Sequence, residues 1–345
     1  MATINRPLSQ MSRVEKHAFF VSYAHQALNQ YDIGRYHAEF LNHREGATFQ
    51  VNVRETDTRY HLRLHNPTPG GDAQWLRPEV INSGLQWLEA LAQDTDIDVQ
   101  QPVRARQDQW LTQVKGEADE FIICSLLTWV EGVDGLSMPL RTPQDFFRMG
   151  ELMARLHEHA NHWQIPPDFV RPHYNETTLR TTLEAIEANL ETGRFLPDEA
   201  QLFRDALGRG LETMEGLEKN PDNWGIVHGD MGYKGNCVFH RNRVSPIDFN
   251  DCAFAYYLYD IAYAFLYIDA GYRRTFLEGY ERLRRLPHNF QSLIETFMVV
   301  GQINLLARLA SRPQENFNYV PRFARNECLS LLQGRSFLFQ RAWWE

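Results

Sequence analysis

A chain of 345 residues is long enough to bury a substantial core and suits one large domain or two lobes. Hydrophobic residues make up 43% and charged residues 23%, an ordinary globular composition, and the formal net charge of -9 argues against nucleic acid as the main partner. An acidic surface suits a cationic substrate, although solubility alone accounts for it. Cys124, Cys237, Cys252 and Cys328 are too widely spaced for a paired metal or redox motif and read as reduced core thiols. Residues 1–13 hold no long apolar region of the kind a secretory signal needs. The apolar run Cys252 to Ala270 is the only membrane candidate, and Asp260, Asp269 and its tyrosines make it a buried helix instead. The expected compartment is the cytoplasm, with no membrane partner.

Alternation from Ala47 to Val53 and from Arg59 to His65, across a polar turn, predicts a β-hairpin. Arg63 within it reads, on pattern alone, equally as a solvent-facing strand residue or as a ligand contact. A Pro- and Gly-rich loop at 66–72 follows, then a helix over 78–93 with Val80, Ile81, Leu85, Leu88 and Leu91 on one stripe. Strands are predicted at Gln109 to Val114 and Phe121 to Thr128. Thr142-Pro143-Gln144-Asp145 opens the next helix: a threonine N-cap, proline at the first helical position and an acidic residue three after the cap. Phe146, Met149, Leu152, Met153, Leu156 and Ala160 make its buried stripe. His157, His159 and His162 on that helix invite a zinc reading, but Asn161 stands where a second ligand four residues after His157 is needed, so structural or exposed histidines are expected. Further helices are predicted over 177–192, 197–219, 273–286, 290–309 and 322–341.

The densest chemistry lies between residues 225 and 262. Gly225-Ile226-Val227 reads as a short strand delivering His228-Gly229-Asp230 into a loop. Cys237 to Phe239 and Val244 to Phe249 flank the polar run 240–243, a hairpin signal, and Pro246 marks an edge strand. One carboxylate, one amide at Asn236 and a second carboxylate at Asp248 around one hairpin are what phosphoryl transfer needs. A base takes the proton of the attacking hydroxyl, and hard oxygen ligands hold Mg²⁺. Asp248-Phe249-Asn250-Asp251 lacks the central glycine of a calcium loop, and that reading is rejected.

His228-Gly229-Asp230, Asn236, Asp248-Phe249 and Tyr259-Asp260-Ile261-Ala262, in that order, resemble the aminoglycoside phosphotransferase and choline kinase family. The resemblance implies an α+β, protein-kinase-like two-lobe fold, with an N-terminal antiparallel sheet plus helix and a larger, mostly helical C-terminal lobe. It places a nucleotide-binding lobe at 1–127, a hinge at 128–132 and a catalytic lobe at 133–345. It makes Asp230 the base, Asn236 and Asp248 the metal ligands and Arg63 the phosphate contact, with backbone groups of Thr128 and Val130 for adenine. ATP and Mg²⁺ are the implied cofactors, and a small hydroxylated acceptor, possibly a cationic one, the implied substrate. A bacterial Ser/Thr protein kinase of the stress-response type and a non-catalytic nucleotide-binding pseudokinase are the alternatives. His228 and Asp260 are expected to support the loop structurally. Two departures stand out. Five residues, not the family's usual four, separate Asp230 from Asn236, and Ser83-Gly84-Leu85 stands where relatives place a glutamate that pairs with the basic strand residue.

Overall fold

The computed structural model describes residues 10–43, 46–65, 74–116, 121–135, 137, 142–232, 235–311, 320 and 322–340. The loop expected at 66–72 therefore lies wholly outside the described residues. The chain divides into two compact units, one of residues 1–130 with the short segment 166–170, the other of residues 131–165 and 171–345.

The first unit opens on α1 (Arg13–Leu28), whose N-cap Ser12 forms a reciprocal box with Glu15. Strands β1 (Tyr36–His43), β2 (Ala47–Val53) and β3 (Arg59–Leu64) follow, then α2 (Pro78–Asp94), β4 (Leu111–Lys115) and β5 (Phe121–Thr128). They form one antiparallel sheet in the order β1-β2-β3-β5-β4. Phe20 and Leu28 of α1 pack with Phe40, Phe49, Val51, Leu62 and Leu64 in its core. Because side chains alternate along a strand, burial of Leu62 and Leu64 sends Arg63 to the other face, where it is half-buried. α1 and β1 were not anticipated. The apolar residues of α1 lie on several sides, with Val14 78% exposed, and a bulge between Phe40 and Asn42 breaks the alternation of β1.

The second unit contains β6 (Val133–Asp134), α3 (Pro143–His162), α4 (Glu176–Glu191), α5 (Pro197–Glu215), β7 (Trp224–Val227), β8 (Cys237–His240), β9 (Arg243–Pro246), β10 (Ala253–Tyr256), α6 (Tyr257–Phe265), α7 (Ala270–Tyr280), α8 (Phe290–Ala310) and α9 (Arg322–Leu332). α3 carries the expected Thr142–Asp145 capping box, and its stripe is buried. α3 and α7 pack backbone to backbone, because a Cβ at Gly150 would lie 1.9 Å from the Phe276 carbonyl oxygen and one at Gly279 equally close to that of Phe147. β7 pairs with β10, and β6-β8-β9 form a second ribbon in which Pro246 sits on the edge strand, where its missing N–H costs no ladder bond.

Three expectations need correction. The strand expected to run to Phe249 ends at Pro246, and Phe249–Asp251 is a 3₁₀ turn. The 252–270 membrane candidate is β10 followed by the short α6. Among the described residues the one helix long and apolar enough to cross a membrane is instead α8, which is mostly buried within the fold.

Candidate active site

β7 ends at Val227 and turns sharply through His228 and Gly229. Gly229 has φ +80°, and a Cβ there would lie 2.3 Å from the Asp251 carbonyl oxygen, so only glycine fits both the backbone region and the space. The turn is held from beneath by Asp260, fully buried in the first turn of α6. Its Oδ2 accepts the His228 N–H at 3.2 Å and its Oδ1 the Gly229 N–H at 2.9 Å. Asp260 Oδ2 also meets His157 Nε2 at 3.0 Å, while His157 Nδ1 meets the Tyr280 hydroxyl at 2.9 Å. Burial holds His157 below its ordinary pKa despite the adjacent carboxylate. The ring is therefore neutral, receiving the Tyr280 O–H and donating to Asp260. His228 is likewise buried and held below its ordinary pKa. Its Nδ1 accepts the Asp230 N–H at 3.3 Å, which leaves Nε2–H to donate to the Ile247 carbonyl at 3.0 Å. Both residues thus support the loop through its backbone.

Asp230 emerges half-buried from this turn. Asn236 Nδ2 donates to its Oδ2 at 2.7 Å and to its backbone carbonyl at 2.8 Å. Residues 233–234 of the longer spacing lie outside the described residues, but the Asn236 N–H closes onto the Gly232 carbonyl at 3.1 Å, so the extra residue does not part the amide from Asp230. Burial, then the Asp251 and Asp248 carboxylates, push Asp230 well above its ordinary range. Asp230, Asn236 and Asp248 are therefore brought together.

Asp248 sits in the left-handed region at φ 62°, at the entry to the 3₁₀ turn. The Asn250 side chain folds back on the turn, and its Nδ2 donates to Asp248 Oδ1. The turn is pinned by buried Arg171, which donates through Nε to the Cys252 carbonyl at 2.5 Å and through Nη2 to the Asn250 carbonyl at 2.6 Å. Sequence reasoning missed Arg171, because an arginine that reads backbone carbonyls about eighty residues away leaves no local pattern. Among the described residues no three His, Cys, Asp or Glu side chains form a metal cage. A cation at this crowd of carboxylates would take Asp248, the Asn236 amide oxygen and oxygens from outside the protein, a donor set that suits Mg²⁺.

The other expected site residues lie in the first unit. Arg63 stands on β3 opposite Thr48 and Ser125 of the neighbouring strands. The Thr128 N–H donates to the Gln101 carbonyl at 2.9 Å and its Oγ1 accepts the Gln101 N–H at 2.8 Å, and Val130 follows two residues on. Glu79 pairs with Arg77 at 3.3 Å and Glu89 with Arg104 at 3.6 Å, so neither takes the place of the missing glutamate beside Arg63.

Residues 39–291, well over half of the chain, match the model of the phosphotransferase enzyme family. The chain belongs to that family. As a phosphotransferase it has the α+β protein-kinase-like fold of its solved neighbours. A microcompartment-associated aminopropanol kinase superposes with a TM-score of 0.70 at 25% identity, covering 91% of this chain and 94% of that one. An amicoumacin kinase solved with AMP-PNP and Ca²⁺ gives 0.74 at 16% identity, over 96% and 98% of the two chains. In sequence, the amicoumacin kinase of Bacillus subtilis (strain 168) is 24% identical over 119 residues, 34% of this phosphotransferase and 32% of that protein, about a third of its length.

Proposed function

We propose that this phosphotransferase moves the γ-phosphoryl group of ATP to a hydroxyl of a small-molecule acceptor in a Mg²⁺-dependent reaction. The observation that carries the reading is the Asn236 amide, which clasps Asp230 by both its carboxylate and its carbonyl, with Asp248 beside it. Asp230 Oδ takes the proton of the acceptor hydroxyl. The acceptor oxygen bonds to the γ-phosphorus as the bond to the β-phosphate oxygen breaks, and ADP leaves. Burial and neighbouring carboxylates make Asp230 more basic than a free aspartate, which favours proton acceptance. Asn236 and Asp248 would hold the cation, which supplies neutralisation of phosphate charge. Arg63 serves the α and β phosphates, and the Thr128 carbonyl with the Val130 N–H serves the adenine edge. Catalysis on this reading is positioning and electrostatics. The solved relative with AMP-PNP and Ca²⁺ and the aminopropanol kinase support a nucleotide donor, a divalent cation and a small hydroxylated acceptor.

Transfer from radiolabelled ATP to amino alcohols, aminoglycosides, hydroxy amino acids and generic protein, with and without Mg²⁺, tests the reading. Asp230→Ala is expected to keep ATP affinity and lose roughly 10² to 10⁴ in turnover. Asp248→Ala is expected to abolish the Mg²⁺ dependence of ATP affinity. Equal loss of ATP affinity and turnover in Asp230→Ala would remove its role as base. Transfer to protein alone would make the chain a Ser/Thr kinase, and nucleotide binding with no transfer a pseudokinase.

A further inference from the structure

One run of backbone, residues 166–174, leads from α2 to the turn that presents Asp248. Residues 166–170 belong to the first unit and Arg171 to the second, so the Val170–Arg171 peptide bond passes from one to the other. On the first side the run is held by α2. The hydroxyl of buried Ser83 accepts the Val170 N–H at 2.8 Å while donating to the Glu79 carbonyl one turn back at 2.8 Å, and Gln86 Nε2 donates to Asp168 Oδ2 at 3.2 Å. On the second side the run is fastened to β10. The Pro172 carbonyl accepts the Phe254 N–H at 2.9 Å and the Tyr174 N–H donates to the Phe254 carbonyl at 2.8 Å.

Arg171 stands between these two anchorages. Its guanidinium bonds the carbonyls of Asn250 and Cys252, and the Asn250 side chain in turn donates to Asp248. The carbonyl between those two, that of Asp251, is the one that leaves no room for a Cβ on Gly229. The turn is thus gripped at two carbonyls and backed at the third. A planar guanidinium with its donors in a rigid fork holds two carbonyls at a set spacing, which an ammonium on a flexible stem does not. Burying such a group is costly, and a fold that only needed this space filled would use an apolar side chain.

We infer that Arg171 is a positioning residue for the cation-binding half of the site, and that Ser83 of α2 sets its position through the Val170–Arg171 peptide bond. The inference rests on Asp248 holding the cation in the proposed transfer. When Arg171 shifts, the 250–252 turn loosens and Asp248 with it, whereas the carboxylate of Asp230 keeps its own clasp from Asn236. The loss therefore falls on the concentration of Mg²⁺ required, and far less on turnover once Mg²⁺ saturates.

The test is the Mg²⁺ concentration that half-saturates two signals: the enhancement of ATP binding, by isothermal titration without acceptor, and kcat with an acceptor. Arg171→Lys is expected to raise both midpoints about tenfold, the lower end of what lost support of a metal ligand costs. Ser83→Ala, a milder change that leaves the arginine in place, is expected to raise them about threefold. In each variant kcat at saturating Mg²⁺ is expected to stay within about threefold of wild type. The double variant is expected to match Arg171→Lys alone, because Ser83 acts through that residue. A midpoint is independent of how much protein is folded, so a loss of folded protein lowers the amplitude and leaves these values in place. An unchanged midpoint in either single variant, a loss confined to kcat, or a double variant showing the product of the two single losses overturns the inference and leaves the phosphotransferase reading intact. Wild-type ATP binding and turnover that ignore Mg²⁺ would overturn the reading on which it rests.

Discussion

Gly229 and Asp230 are adjacent and strained in different ways. Replacing Gly229 by alanine puts a Cβ 2.3 Å from the Asp251 carbonyl oxygen at φ +80°, so the Asp251 turn or the catalytic turn must move. Gly229→Ala is expected to cost about 2 kcal/mol or more in urea unfolding and at least about tenfold in turnover. A variant with wild-type midpoint and rate would show that the turn has slack. Asp230 is strained electrostatically. Its folded pKa is raised, so its contribution to stability is fully present below the unfolded value of 3.8 and is lost as pH rises through the folded value. At neutral pH Asp230→Asn is therefore expected to raise the Tm while removing turnover, the exchange of stability for function common at active sites. A lowered Tm would mean that the Asn236 clasp outweighs the carboxylate crowding. At this scale the sequence displayed Asp230, Asn236 and Asp248, because their order and spacing along one hairpin are local. Arg171 was illegible as a site residue because what fixes it is contact with carbonyls about eighty residues away in the chain.

Helices with a signal at their start were read well. Thr142-Pro143 and Asp145 fixed the beginning of α3, since a cap bonds locally and needs nothing from the rest of the fold. β9 was overrun by three residues because no period-two pattern reports that Asp248 takes a left-handed conformation. α2 shows the same division. Its stripe was plain, with Gly84 on the inward side, but the partners of its glutamates were not, because salt-bridge choice depends on where distant arginines arrive. Glu89 in particular meets Arg104 from the segment before β4. Both glutamates are spent on exposed arginines, so Glu79→Gln and Glu89→Gln are each expected to leave ATP affinity within about threefold, below the roughly 1.4 kcal/mol of a tenfold change. Isothermal titration decides it. A loss beyond tenfold in either would give that glutamate a role at the nucleotide.

For the molecule as a whole, the catalytic loop hangs from a buried network that has consequences for stability against pH. His157 and His228 are both fully buried and neutral, held below their ordinary pKa chiefly by desolvation. The sign follows from proton counts. A histidine depressed in the fold takes up its proton more readily in the unfolded chain, so stability is intact above the unfolded pKa of 6.5 and falls as pH drops from there toward the folded value. Asp230 slopes the opposite way, so the histidine contribution is read as a difference between proteins. His157→Gln can still donate an amide N–H to Asp260 and accept from Tyr280, but it cannot be protonated. Urea unfolding of both proteins between about pH 5 and 8 is expected to show wild-type stability falling more steeply on acidification than that of the variant. Parallel curves would mean that His157 titrates in the fold as it does unfolded, and wild-type stability rising on acidification relative to the variant would mean that its bond to Asp260 is an ion pair. If the curves diverge only below about pH 6.5, turnover should decline over the same range even with the nucleotide saturating, because protonating His157 recruits Asp260 Oδ2 away from the His228 N–H that it shares.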